Sequence, residues 1–202
     1  MFFDELPEFN RSVLEALRQP LEDKKISVSR AKDSVDYPAH FILVATANPC
    51  PCGYYDSNKE CTCLPANIIR YQKKISGPVL DRIDLYVDVE EVDHERLLKD
   101  NPSTTKSREY TEVVKKARDR QINRYGKLNS ELNNRDIKKF SRLDGEAEKI
   151  LNQAAEKMGL SARGYIRSVK VASTIADLSG KENIGVAEIT EALQYRKKPV
   201  KL

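Results

Sequence analysis

Apolar residues follow two rhythms in the first half of the chain and a single rhythm in the second. After a stub of strand at "FFDE", Val13, Leu14, Leu17 and Leu21 are spaced to share one face of a helix. That helix begins near Asn10, a suitable N-cap, and is ended or kinked by Pro20. Alternation takes over next. Ile26 and Val28, then Val35 and Tyr37, are interleaved with polar residues around a polar turn at Lys32 to Ser34, which predicts a β-hairpin. The run "FILVATA" (Phe41 to Ala47) is apolar without a break, the pattern of a strand buried on both faces of a parallel sheet. "IDLYVDVE" (Ile83 to Glu90) predicts a further strand, with a short helix at residues 65 to 75 between the two. Beyond Glu91 only the helical period remains. It predicts helices over Ser103 to Tyr125, Asn134 to Phe140, Asp144 to Lys157, Ser161 to Leu178 and Val186 to Tyr195, punctuated by "YGKLNS", "RLD", "MGL" and "SGKENIG". "DNPSTT" has linker chemistry, so the domain boundary is expected within residues 91 to 102: an α/β part over residues 1–92 and an α-helical part over 93–202.

Composition narrows this only slightly. A chain of 202 residues, 40% hydrophobic and 33% charged, can form one or two soluble globular domains. "MFFDELPEF" places acids where a signal peptide needs basic residues and a longer apolar stretch, so the expectation is a cytoplasmic protein without membrane contact. The net charge of +4 permits nucleic-acid binding without requiring it. All four cysteines lie between Cys50 and Cys63, which argues against a disulfide framework and leaves local metal binding or reduced thiols.

Candidate chemistry gathers at the ends of the predicted strands. Asp4 and Glu5, adjacent and just past a strand, can divide the labour of phosphoryl transfer, one orienting hydrated Mg²⁺ and the other polarising the attacking water. Two acids in a solvated turn are the simpler reading. Asn48 ends a second strand in "ATANP", where an amide can hold that water or sense a phosphate, or can merely form a turn before Pro49. Arg82 in "SGPVLDRID" and Arg163 in "LSARGYIR" offer positive charge for the transferring phosphoryl group. Arg82 can equally pair with Asp81 or Asp84, and Arg163 can be a solvated helix-start residue.

In order and spacing these segments resemble the AAA+ ATPases, specifically the magnesium-chelatase-like branch containing the YifB/ComM family. The likeness runs through "FFDELPEFNRSVLEALRQPLED", "ISVSRAKDSVDYPAHFILVATANPCPCG", "RYQKKISGPVLDRIDLYVDV" and "LSARGYIRSVKVASTIADL". It implies the C-terminal half of an AAA+ parallel-sheet core with a hairpin insertion, followed by an α-helical lid. It also implies roles: Asp4 and Glu5 as the Walker B pair, Asn48 as sensor 1, Arg82 as arginine finger, Arg163 as sensor 2, with ATP and Mg²⁺ as cofactors and a ring of subunits, usually a hexamer. The sequence departs from the family by containing no G-x-x-x-x-G-K-[ST] phosphate loop. Gly126-Lys127 and Gly180-Lys181 lack both the upstream glycine and the following Ser or Thr. The expectation is therefore a piece of a longer protein, inactive alone, with an apolar sheet edge open to aggregation.

Two features stand beside this frame. Arg30 and Lys32 lie in the hairpin with Lys24 and Lys25, partly balanced by Asp23, Asp33 and Asp36, as in any solvated hairpin. The resemblance implies instead a pore hairpin whose basic residues contact the DNA backbone during translocation or branch migration. Cys50, Cys52, Cys61 and Cys63 form C-x-C twice with eight residues between, enough thiolates for a structural tetrahedral Zn²⁺, although paired zinc cysteines usually have two residues between them. Reduced, oxidation-prone loop thiols are the other reading. His40 and His94 lie outside the cluster, which disfavours a catalytic zinc. Two alternatives to the motor remain: a non-catalytic nucleic-acid or protein interaction module with a zinc loop, and a true magnesium chelatase ATPase subunit, which "ANPCPCGYY" matches less well.

Overall fold

The computed structural model describes residues 1–29, 33–89, 104–140 and 142–196, so the expected boundary at 91 to 102 lies outside the described residues. The protein is mixed α/β and divides into two compact units, Met1–Ile83 and Asp84–Lys201.

In the first unit, strand β1 (Phe2–Phe3) pairs in parallel with β4 (Val44–Ala45), Phe2 opposite Val44 and Phe3 opposite Ala45. Helices α1 (Arg11–Ala16) and α2 (Arg18–Asp23) follow β1. The break falls at Leu17, one turn before Pro20, because Pro20 has no N–H to offer the Ala16 carbonyl and its ring crowds that oxygen. Leu21 N–H resumes the helix on the Leu17 carbonyl at 3.1 Å. Leu14 and Leu17 are buried with Leu6, Ile75 and Val79, and Leu21 packs against them. Val13, expected on the same face, is exposed. The hairpin is present as β2 (Lys25–Ser29) and β3 (Ser34–Pro38), antiparallel with Val28 opposite Val35. Helices α3 (Pro65–Gln72) and α4 (Gly77–Leu80) complete the unit.

Two strand expectations need correction. Only Val44–Ala45 of the Phe41 to Ala47 run is strand, and the run is not buried on both faces: Ile42 is 81% and Val44 53% exposed. An apolar run sheds water only where layers cover both faces, and a two-stranded sheet supplies none. Described residues 83–89 form no strand, and Val87 and Val89 are 66% and 86% exposed. Among the described residues no strand edge pairs with this segment; the Tyr86 N–H goes to the Tyr195 carbonyl at 2.8 Å. The expected parallel-sheet core is, among the described residues, one pair of short strands.

The second unit follows the sequence pattern closely: α5 (Thr104–Tyr125), α6 (Asn134–Phe140), α7 (Gly145–Met158), α8 (Ala162–Leu178) and α9 (Val186–Gln194). Ser161 caps α8, its hydroxyl accepting the Gly164 N–H at 3.1 Å. Gly159, in the left-handed region at φ 61°, ends α7 in the conformation that a glycine adopts most cheaply. Leu151, Val169, Ala172, Ala176, Ile184 and Ile189 form the core. Within it Asp177 is fully buried, paired with Arg124 at 2.7 Å and accepting from Asn129 Nδ2 at 2.9 Å. Among the described residues no helix is long and apolar enough to cross a membrane.

Candidate active site and cysteine cluster

Parallel pairing of β1 with β4 brings the residues that follow each strand side by side. Thr46 is the joint. Its N–H donates to the Phe3 carbonyl at 2.9 Å and its carbonyl accepts the Leu6 N–H at 2.8 Å. Its hydroxyl donates to Asp4 Oδ1 at 2.6 Å and accepts the Glu5 N–H at 2.9 Å. Asn48, two residues on and hence on the same side of the extended chain, donates from Nδ2 to Glu5 Oε1 at 3.4 Å. Glu5 has φ 51° and ψ 53°, a left-handed conformation that costs a non-glycine residue about 1–2 kcal/mol. The strained backbone is held by the Thr46 bond and turns the Glu5 carboxylate toward Asn48 instead of along the strand.

The structure thus brings together Asp4, Glu5 and Asn48, and adds Thr46, which the sequence reading passed over. Its signal was the spacing to Asn48: two polar residues two apart at the end of an apolar run share a face.

Arg82 is engaged elsewhere in the first unit. It is 9% exposed, with Nε 2.8 Å from Glu22 Oε2 and Nη1 donating to the Pro78 carbonyl at 2.6 Å. Glu22, rather than Asp81 or Asp84, is its ion-pair partner. Arg163 lies in the first turn of α8 in the second unit and is exposed. Arg30 and Lys32 lie outside the described residues. Of the neighbouring hairpin charges, Lys25 is bound to Asp36 at 2.6 Å. That ammonium, with the Ser27 hydroxyl, holds the Asp36 carboxyl below its usual range.

The cysteines form a second, separate cluster on the loop from β4 to α3. Their four sulfurs lie within 4.8 Å of one another. Cys50 Sγ is 3.3 Å from Cys52 Sγ and 3.7 Å from Cys61 Sγ, and Cys52 and Cys61 are 3.6 Å apart. Cys50 is fully buried and accepts the Tyr55 N–H at 3.3 Å. Gly53 makes the arrangement possible: at φ 84° it turns the chain back so that its N–H reaches the Cys50 carbonyl at 3.0 Å. The thiols are electrostatically unlike. The backbone N–H of Tyr54 draws Cys52 down to about 6, with help from the neighbouring sulfurs against the cost of burial. Cys61 is pushed up to about 12: a backbone N–H at Cys63 favours its thiolate, but burial and the sulfurs of Cys52 and Cys50 outweigh it. Such a donor set can hold a metal ion.

Comparison with known proteins places these features in a family setting. Residues 1–97 match the family described as magnesium chelatase, subunit ChlI, and residues 104–196 match magnesium chelatase, subunit ChlI C-terminal. The chain is 43% identical over 196 residues to competence protein ComM of Haemophilus influenzae. It is 39% identical over 196 residues to the uncharacterized protein YifB of Escherichia coli, and 38% over 200 residues to YifB of Salmonella typhimurium. Each alignment covers 97% of this chain and 38% of the relative, so the chain spans little more than a third of the length of the curated relatives it matches.

Proposed function

The chain belongs to the magnesium-chelatase family, alongside ComM and YifB, and from that premise we propose that it forms the Walker B to sensor 2 portion of an AAA+ ATPase. One observation carries the proposal: two adjacent carboxylates and an amide meet at the ends of neighbouring parallel strands, the Thr46 hydroxyl bonding Asp4 and the Asn48 amide bonding Glu5. Mg²⁺, bound with the nucleotide, supplies charge neutralisation at the phosphates. Asp4, oriented by Thr46, would be the group that holds the hydrated cation. Glu5 would take the proton of the attacking water, and Asn48, hydrogen-bonded to Glu5, would help to orient that water. Arg163 and Arg82 supply positive charge to the transferring group, in the same and in a neighbouring subunit respectively. Arg82 reaches a neighbour only by leaving Glu22, so its finger role entails opening that ion pair.

The 202 residues hold no phosphate loop, so the activity proposed is that of a longer protein carrying them, acting as a six-membered ring in the cytoplasm. ATP hydrolysis there is coupled to DNA translocation or branch migration, with Arg30 and Lys32 of the hairpin contacting backbone phosphates without regard to sequence. Replacing Glu5 by Gln in that longer protein should leave nucleotide binding intact and lower steady-state hydrolysis at least about 10²-fold, the usual yield of a positioned general base. Hydrolysis at the unaltered rate would overturn the assignment.

A further inference from the structure

We infer that Cys50, Cys52, Cys61 and Cys63 bind one Zn²⁺ as a tetrathiolate site, and that the metal fixes the loop which carries Asn48 into place beside Glu5. The geometry favours a shared ion over paired disulfides. Regular tetrahedral coordination at a Zn–S distance of about 2.3 Å places the sulfurs about 3.8 Å apart. The three separations of 3.3, 3.6 and 3.7 Å close a triangle on one side of such a centre, and Cys63 lies within reach of all three. A disulfide gives each sulfur one close partner; here Cys50 approaches both Cys52 and Cys61. The Tyr55 N–H on Cys50 Sγ is the kind of donor that stabilises a metal-bound thiolate.

Four thiolates in a tetrahedral shell suit zinc or iron, and zinc is the ion proposed here. Four soft sulfur ligands exclude the oxygen-seeking Mg²⁺ and Ca²⁺, and a closed four-coordinate shell leaves no open position for catalysis. On binding, each protonated thiol gives its proton to solvent and the sulfur keeps the electron pair that it donates to the metal. No oxidant or reductant is needed.

The consequence for the neighbouring site follows from chain connectivity. Asn48 is two residues from Cys50, and between them the Pro49 carbonyl is held by Gln72 Nε2 of α3 at 2.8 Å. The loop leaves β4 after Ala45, carries Asn48 just ahead of Cys50 and joins α3 at Pro65, just after Cys63, so an ion joining Cys50 to Cys63 closes it near its base. The metal site stands without the ATPase reading; only the significance of fixing Asn48 rests on it.

The test uses the 202-residue chain purified under reducing conditions. Elemental analysis should find about one zinc per chain, and almost none in Cys50→Ser/Cys61→Ser. Because the chain has only four cysteines, thiol titration reads this site alone: slow reaction before chelation and four reactive thiols after it. Cobalt reloading should restore the charge-transfer and visible bands of tetrahedral thiolate coordination, a readout that does not depend on the variant folding. Hydrogen exchange should quicken in residues 48–63 on chelation and stay unchanged in α7 and α8. Less than half an equivalent of zinc with freely reactive thiols, stable disulfides in the reduced preparation, or iron as the bound metal would each overturn the assignment. Failure of the Glu5→Gln prediction would leave all of these measurements untouched.

Discussion

Thr46 ties four consecutive residues, Phe3 to Leu6, to the end of β4, and its hydroxyl alone serves both Asp4 and Glu5. Thr46→Val keeps the shape and the β-branched fit to a strand but removes both hydroxyl bonds. Glu5 then has no side-chain partner holding its left-handed backbone, and relaxation of that strain swings its carboxylate away from Asn48. Because the site is exposed, water replaces much of what is lost, and the stability cost should be only about 1 kcal/mol. Hydrolysis by the longer protein should nonetheless fall about tenfold or more, with Thr46→Ser restoring most of it. A Val variant with unimpaired hydrolysis would show that the clamp does not position the carboxylates. The pair Asp4 and Glu5 was legible in sequence because adjacent acids after an apolar stub stand out. Thr46 was not, since a threonine inside "VATAN" reads as one more strand-forming residue. Nor was Glu22, the partner of Arg82, which lies sixty residues earlier and meets it only once the unit is folded.

Helices are the elements that the sequence announced best, and the reason is local. Each of α6 to α9 carries its own apolar period and its own stop signals, so its limits depend little on distant contacts. The strands depend on neighbours. "FILVATA" has the composition of a central strand but pairs over only two residues, and residues 83–89 pair with no strand. The buried Asp177 was equally hidden: on an apolar face of α8 it makes sense only with partners from elsewhere. Arg124 comes from the end of α5 and Asn129 from the turn after it, while Arg142 approaches to 3.6 Å from the segment before α7. Asp177→Ala would leave Arg124 and Arg142 with unbalanced, largely buried charge. The second unit should lose about 3–5 kcal/mol, the usual cost of removing one partner from a buried pair. Its thermal midpoint should drop by roughly 10–20 °C. Asp177→Asn, which keeps the hydrogen-bond acceptor, should lose less. A loss under about 1 kcal/mol for the Ala variant, measured by urea unfolding, would mean that water or a rearranged acceptor replaces the carboxylate.

At the scale of the whole molecule, the two units differ in how completely each covers its own apolar surface. The second has a continuous core in which α8 packs against α5, α6 and α9, with the extended segment at 84–89 tied on by the bond from Tyr86 to Tyr195 and by the ion pair between Arg167 and Asp84. The first has a small core around Leu6, Leu14 and Val79, while Phe2 and Val44 of its parallel strand pair, and Ile42 just before that pair, remain in water. A short sheet with apolar faces and open edges is a template for pairing with another chain. Produced separately, residues 84–202 should melt in one cooperative transition, remain monomeric in light scattering and bind little of the dye ANS. Residues 1–83 should bind ANS strongly and lose solubility as concentration rises, with Ile42→Lys and Val44→Thr together reducing both effects. A monomeric, dye-silent 1–83 fragment with a sharp melting transition would show that the first unit covers its sheet unaided. An aggregating 84–202 fragment would instead place the exposed apolar liability in the 84–89 segment, where Val87 and Val89 lie open to solvent.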